Sequence, residues 1–180
     1  MSAVARRYAK ALFALAQDED ALEPTATQLG RLAAVATDPT MGPVLRNPLL
    51  SPTRRREIAD ALARELALPA TMTRFLRLVA DQQRLGELWS IADHFQIMLD
   101  RDLGRVRVTV RSALPLDGRQ QADIVARFAQ LTGKQVIPTV QVDSDLLGGV
   151  VVEAEGKVYD GSVRTHLERL AKTLSGDGAH

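Results

Sequence analysis

Four groups of residues in this chain are of types that could do chemistry. The first is an acidic cluster, Asp143, Asp145, Glu153, Glu155 and Asp160. Carboxylates at that density suit a hard cation, yet the regular ligand ladder of a calcium loop is missing and no histidine stands nearby. The second is the trio His94, His166 and His180, which have no His-x-x-x-His or Glu-x-x-His spacing. The third is Asp160-Gly161-Ser162, where His166 follows the serine at helical spacing and could act as a base. A serine there is better placed to cap a helix, because its oxygen can accept an otherwise orphaned backbone N–H. The fourth is Gly148-Gly149, around which neither a dinucleotide fingerprint nor a P-loop ending is found. A bulge or a close strand approach accounts for the pair. Each group has a structural explanation, so the expectation is a connector with no catalytic residue, metal or cofactor of its own.

Composition narrows the classes further. The 180 residues include 46% hydrophobic and 25% charged side chains, a balance that folds and dissolves. Aromatics make up only 4%, so Leu, Val, Ile and Ala must fill the core and base-stacking platforms are not expected. With 23 basic and 22 acidic side chains the formal charge is +1, which supplies no global attraction to phosphate backbones or anionic lipid. Cysteine is absent, which excludes disulfides and thiolate chemistry and fits a reducing compartment. No run of about 18 apolar residues occurs, and no transit-type leader is read at the N-terminus.

The elements that must position these groups follow from the apolar period. It is helical from Val4 to Leu103 and becomes two from Arg105 onward, which places a boundary near Gly104, itself suited to a helix C-terminal cap. Six helical segments are expected before it: Ser2–Gln17, Ala21–Ala36, Met41–Leu45, Thr53–Leu66 behind the Ser51-Pro52 cap, a helix opened by Pro69 and running to Gln82, and one carrying Leu85, Leu88, Ala92, Phe95 and Leu99. Beyond it, Val106, Val108 and Val110 alternate with Arg105, Arg107, Thr109 and Arg111, the mark of a half-buried strand with a basic outer face. Asp117 and Gln120 form a capping box for a helix with Ile124, Phe128 and Leu131, stopped by Gly133. Strands are expected at Val136–Val142, from Val150 to Val152, and at Lys157–Tyr159 after a Glu155-Gly156 turn. A helix with Leu167, Leu170, Ala171 and Leu174 follows Ser162. The fold class is α+β: a six-helix bundle over 1–104, a small α/β domain over 105–174, and a flexible tail over 175–180.

Two features exceed what a core requires. On the first helix Val4, Tyr8, Ala11, Leu12 and Leu15 make one apolar face, while Ala5, Ala9, Phe13 and Ala16 make a second stripe. From pattern, full burial between neighbours is the first reading and a groove for a partner helix the second. The run Phe75, Leu76, Leu78, Val79 raises the same choice. The Arg105/Arg107/Arg111 face supports an alternative function, a nucleic-acid-binding adaptor, which charge balance and scarce aromatics oppose.

Several stretches, in this order and spacing, resemble the delta subunit family of bacterial F-type ATP synthases, relatives of the mitochondrial oligomycin-sensitivity conferring protein. They are Ala5-Arg-Arg-Tyr-Ala-Lys-Ala-Leu-Phe, Phe75-Leu-Arg-Leu-Val-Ala with Arg84-Leu, Val108-Thr-Val-Arg-Ser-Ala with Pro115-Leu, Leu147-Gly-Gly-Val, Asp160-Gly-Ser-Val-Arg and Leu167-Glu-Arg-Leu. The resemblance implies a stator without turnover of its own. Its helical domain grips the N-terminal helix of an alpha subunit of the catalytic head, and its second domain holds the end of the peripheral-stalk b subunit. The implied location is the cytoplasmic face of the bacterial plasma membrane, with membrane association only through the complex. Carried onto this sequence, the alpha-binding groove falls on Ala5, Tyr8, Ala9, Leu12 and Phe13 with Phe75, Leu76 and Val79. That shifts the burial-or-groove choice toward the groove. The expected structural turn and cap of the second domain comprise Gly148, Gly149, Asp160, Gly161, Ser162 and Arg164.

Overall fold

A computed structural model describes residues 2–154, 156–163 and 165. The chain divides into two compact units, with the break after Leu99.

The first unit is helical because its apolar residues recur at three- and four-residue steps and its ends carry capping groups. Six α-helices are described: α1 Ala3–Asp18, α2 Leu22–Thr37, α3 Met41–Leu45, α4 Pro52–Glu65, α5 Ala70–Asp81 and α6 Leu88–Asp102. Ser2 caps α1 by accepting the Ala5 N–H, and Ser51 caps α4 by accepting the Arg54 N–H with Pro52 at the first helical position. The last helix is shorter than its apolar pattern predicts: Leu85–Glu87 form a 3-10 turn, and α6 begins at Leu88. One core joins all of this, with Leu12, Phe13, Leu29, Leu32, Met72, Leu76, Val79, Leu88, Ile91 and Phe95 buried together. Helices α4 and α5 run antiparallel, since Arg56 meets Asp81 at 2.6 Å and Asp60 meets Arg77 at 2.6 Å.

The second unit contains β1 Arg105–Ser112, α7 Gly118–Thr132, β2 Gln135–Val142, β3 Gly149–Ala154 and β4 Lys157–Ser162. The sheet order is β2-β1-β3-β4. Strands β1 and β2 are parallel and linked through α7; β1–β3 and β3–β4 are antiparallel. Pro138 lies on the edge strand β2, where a missing N–H can be tolerated. The Asp117/Gln120 capping box is present in both directions, and Gly133 ends α7 in the left-handed region with φ 66°. Val106, Val108 and Val110 are buried against Phe128, Val136, Val152 and Ala154.

The compact units divide after Leu99, near the boundary expected at Gly104, and the 2.6 Å pair between Asp100 and Arg107 lies within the second unit. Two expectations need correction. Leu131 is 72% exposed, so the packed face of α7 is Ile124, Val125, Phe128 and Ala129. Asp160, Gly161 and Ser162 do not form a turn: they are the end of β4, paired with Val151, Val150 and Gly149. The expected helix beyond Ser162, Arg164 within it, and the tail 175–180 lie outside the described residues, as does Glu155.

Candidate partner-binding surfaces

Helix α1 is apolar over about 200° of its circumference at 100° per residue, roughly twice what one core face needs. The structure divides that arc. Ala5 and Ala9 are fully buried, with Leu12, Phe13 and Ala16 beside them. Small side chains at 5, 9 and 16 let neighbouring backbones approach, and the Phe13 ring meets Phe95 of α6 with centroids 5.3 Å apart. The other part of the arc faces outward: Val4 and Tyr8 are half-buried, Ala11 is exposed and Leu15 is 42% exposed. Burial therefore claims the stripe that pattern alone marked as surplus, and Leu12 belongs with that stripe.

Helix α5 behaves the same way. Phe75, Leu76 and Val79 are buried, while Leu78 is 50% exposed. The two helices are joined edge to face by Tyr8 and Phe75, with ring centroids 6.4 Å apart, and by Thr71 donating to Glu19 at 3.1 Å. Arg7 lies 5.9 Å from the Tyr8 ring centre, at the outer reach of a cation–π contact. Of the eight residues expected to line a groove, only Tyr8 keeps appreciable accessibility. Leu15 and Leu78 are accessible apolar groups on the same two helices that lie outside the motif-based assignment. Nothing in the sequence separated the two stripes, since both are apolar and both flank the charged arc of Arg6, Arg7 and Lys10.

In the second unit the predicted polar residues do gather at one corner. Gly149 has φ 81°, and a Cβ there would lie 2.3 Å from the Gly161 carbonyl oxygen, so only glycine permits this strand approach. The Val163 N–H donates to the Gly148 carbonyl at 3.0 Å. One Asp160 carboxylate oxygen accepts the Ser162 N–H and the other the Thr165 hydroxyl, both at 2.8 Å. The Ser162 hydroxyl accepts the Thr165 N–H at 3.3 Å, which is N-cap geometry. These groups satisfy backbone donors and fasten β3 to β4; His166, the one conceivable base, lies outside the described residues.

The acidic cluster is dispersed in the same fashion. Asp143 accepts the Asp145 N–H at 3.0 Å and meets Arg111 at 3.4 Å. No group of three metal-capable side chains is found among the described residues. The basic face of β1 is also engaged: Arg107 pairs with the nearly buried Asp100, Arg111 with Asp143, and the Arg105 Nε reaches the Gln135 side-chain oxygen at 3.4 Å. Arg107 and Arg111 are held in ion pairs within the unit and Arg105 is tied to a side-chain amide, an arrangement ill-suited to tracking phosphates.

A helical unit with accessible apolar groups on two helices, followed by a small mixed-sheet unit whose polar corner closes its own backbone, fits a linking subunit of a larger assembly. The chain belongs to the ATP synthase delta (OSCP) subunit family, which it matches over residues 4–174. It is 44% identical to the ATP synthase subunit delta of Anaeromyxobacter sp. (strain Fw109-5), over 97% of this chain and 98% of that one. With the ATP synthase subunit delta of Syntrophus aciditrophicus (strain SB) it shares 33% identity over 96% of each. The fold recurs in a chain of the Toxoplasma gondii mitochondrial ATP synthase hexamer, with a TM-score of 0.73 and 22% identity, covering 97% of this chain and 99% of that one. The protein is thus a peripheral-stalk component of an F-type ATP synthase, a structural subunit of the complex that is the enzyme.

Proposed function

We propose that this chain is the non-catalytic stator link between the alpha subunits of the catalytic head and the b subunit of the peripheral stalk. The helical unit seats the N-terminal helix of an alpha subunit along α1 and α5, and the second unit holds the end of b. The observation that carries the reading is apolar surface left outside the core on two helices whose Tyr8 and Phe75 rings touch, with Tyr8 half-buried and Leu15 and Leu78 exposed. Surface of that kind accepts the apolar face of an amphipathic helix, a large contact suited to resisting torque. The buried members of the expected groove, Ala5, Ala9, Leu12, Phe13, Phe75, Leu76 and Val79, act beneath it by setting the distance and angle between the two helices. In the second unit, exposed Leu147 and Val163 adjoin through the Gly148 backbone and offer b an apolar foothold.

Two separate attachments, each of modest strength, hold the head far better than either alone. The proposed location is the cytoplasmic face of the bacterial plasma membrane, reached through the complex; among the described residues no helix is long and apolar enough to cross a membrane. The test is recovery of the tagged chain from gently solubilised membranes, with mass spectrometry of what accompanies it. Alpha, beta and b subunits are expected together, with alpha and beta lost and b retained in a Leu15→Glu/Leu78→Glu variant. Recovery of nucleic acid, or of neither alpha nor b, contradicts the proposal.

A further inference from the structure

Three arginines converge on one cavity in the helical unit, and the buried one has unfilled donors. The cavity, about 350 Å³, is lined by Arg46 and Asn47 after α3, Arg55 of α4, and Arg84 and Glu87 at the 3-10 turn. Arg55 is only 7% exposed, and its Nε and Nη1 are buried with no hydrogen-bond partner. Glu87 has one carboxylate oxygen on Arg84 at 2.7 Å, while the other is buried and has no partner. Buried charged groups with unmet hydrogen bonds are costly, and a fold retains them chiefly where something else fills them. Arg46 is held at the rim by donating to the Ala36 carbonyl at 3.2 Å. Its stem crosses Gly86, where a Cβ would come within 2.5 Å of Arg46 Cγ, so the missing side chain makes room for the arginine.

The occupant must satisfy two demands. Arg55 presents N–H donors and needs acceptors; with Arg84 paired to Glu87 and Asp81 acting on Arg55 from outside the lining, Arg46 and Arg55 still leave the lining net positive, which calls for an anion. The free Glu87 oxygen needs a donor, which a carboxylate or sulfate ion lacks at neutral pH. We propose that this cavity binds a tetrahedral oxyanion that keeps a proton at neutral pH, the hydrogen phosphate ion, and not the dianionic head of a phosphate ester. Its oxygens accept from Arg55 and its P–OH donates to Glu87. Bound there, it would fasten α4 to the chain after α3 and to the 3-10 turn, so phosphate stabilises the helical unit independently of the stalk contacts.

The experiment is calorimetric titration and thermal unfolding of the full chain with inorganic phosphate, sulfate and glycerol phosphate, at constant ionic strength made up with chloride. Phosphate is expected to raise Tm and to bind about tenfold or more tightly than sulfate. Arg55→Met is expected to remove the phosphate response while keeping the helical circular dichroism, and exposed Arg54→Gln to retain it. Should the methionine variant not fold, Arg55→Lys keeps the charge but loses the fork, and about a tenfold weaker affinity is expected. Glu87→Gln, which exchanges an acceptor for a donor, is expected to turn the preference toward sulfate. Glycerol phosphate, mostly a dianion without P–OH at neutral pH, is expected to bind more weakly than phosphate, and tighter binding would overturn the assignment of a P–OH to Glu87. No phosphate response beyond chloride would mean that trapped water serves these donors and overturns the inference. Equal binding of phosphate and sulfate, or undiminished binding by Arg55→Met, would reduce the effect to an adventitious ion only and overturn it as well.

Discussion

The two units of this chain solve the problem of holding a shape by different means. The helical unit is held by side-chain volume: alanines at 5, 9 and 16 let helices close up, and leucines and phenylalanines fill what remains. The sheet unit has a small core of valines, Phe128 and Ala154, and relies on strand pairing and on polar groups that satisfy backbone donors at its corner. In the first unit identity matters at buried apolar positions. In the second it matters where the backbone approaches itself, at Gly149, and where a carboxylate is held at low exposure, at Asp100. The difference also says where binding surface can come from. In the helical unit it lies on the outer part of the α1 arc and at Leu78 of α5, and in the sheet unit at exposed Leu147 and Val163 beside the polar corner.

The largest effect should come from putting charge into the close helix packing. Ala9→Glu is expected to cost roughly 4 kcal/mol or more, since a carboxylate would replace a methyl group at full burial. A urea titration followed by circular dichroism would register loss of the helical unit. The same substitution is a poor probe of partner binding, because it removes the fold that carries the surface. In the sheet unit the counterpart is Gly149→Val, which meets both a positive φ and the Gly161 carbonyl. About 1–3 kcal/mol of destabilisation is expected, with loss of amide-exchange protection along β3 and β4 while α1 and α5 keep theirs. An equal loss of protection in both units would erase the contrast between them.

A smaller effect is expected at Asp100. Its side chain is only 9% exposed and accepts from Arg107 at 2.6 Å, so Asp100→Asn replaces a charge-assisted hydrogen bond by a neutral one. The expected cost is about 1–2 kcal/mol, read from the shift in urea midpoint of the sheet unit. The smallest effect concerns pH. Asp38 accepts the Met41 and Thr40 backbone N–H groups, which hold its carboxyl below the ordinary aspartate range; Asp81 is lowered in the same direction by its hydrogen bond from Arg56. Because both folded values are depressed, their contribution is complete above the unfolded aspartate value, roughly pH 4, and is lost as pH falls through the folded values. Asp38→Asn is expected to flatten a small part of the acid limb of a Tm-against-pH profile and to leave the neutral plateau nearly unchanged.

Much of the architecture was legible because local signals agreed. Ser2 and Ser51, the Asp117/Gln120 box, Gly133 and the alternation of Val106, Val108 and Val110 each specify an end or a face through a physical requirement of the backbone. What was not legible depended on tertiary choice. Both apolar stripes of α1 satisfy the same periodicity, and only packing against Phe75 and Phe95 decides that Ala5, Ala9 and Phe13 go inside while Tyr8 and Leu15 remain at the surface. Asp160-Gly161-Ser162 reads locally as a turn, yet pairing with β3 extends them as strand. The unfilled donors of Arg55 could not be found from Arg54-Arg55-Arg56, where all three side chains look alike until burial separates the middle one.

The central claim is that the accessible apolar surface of α1 and α5, and not the buried stripe beneath it, receives the alpha-subunit helix. The most direct measurement is calorimetric titration of the full chain with a peptide of the N-terminal helix of its own alpha subunit, comparing wild type with Leu15→Glu/Leu78→Glu. The account predicts that the variant keeps the wild-type circular dichroism and thermal midpoint but binds the peptide at least about a hundredfold more weakly, as expected when two apolar contacts are replaced by desolvated carboxylates. A folded variant that binds the peptide as tightly as wild type would contradict it.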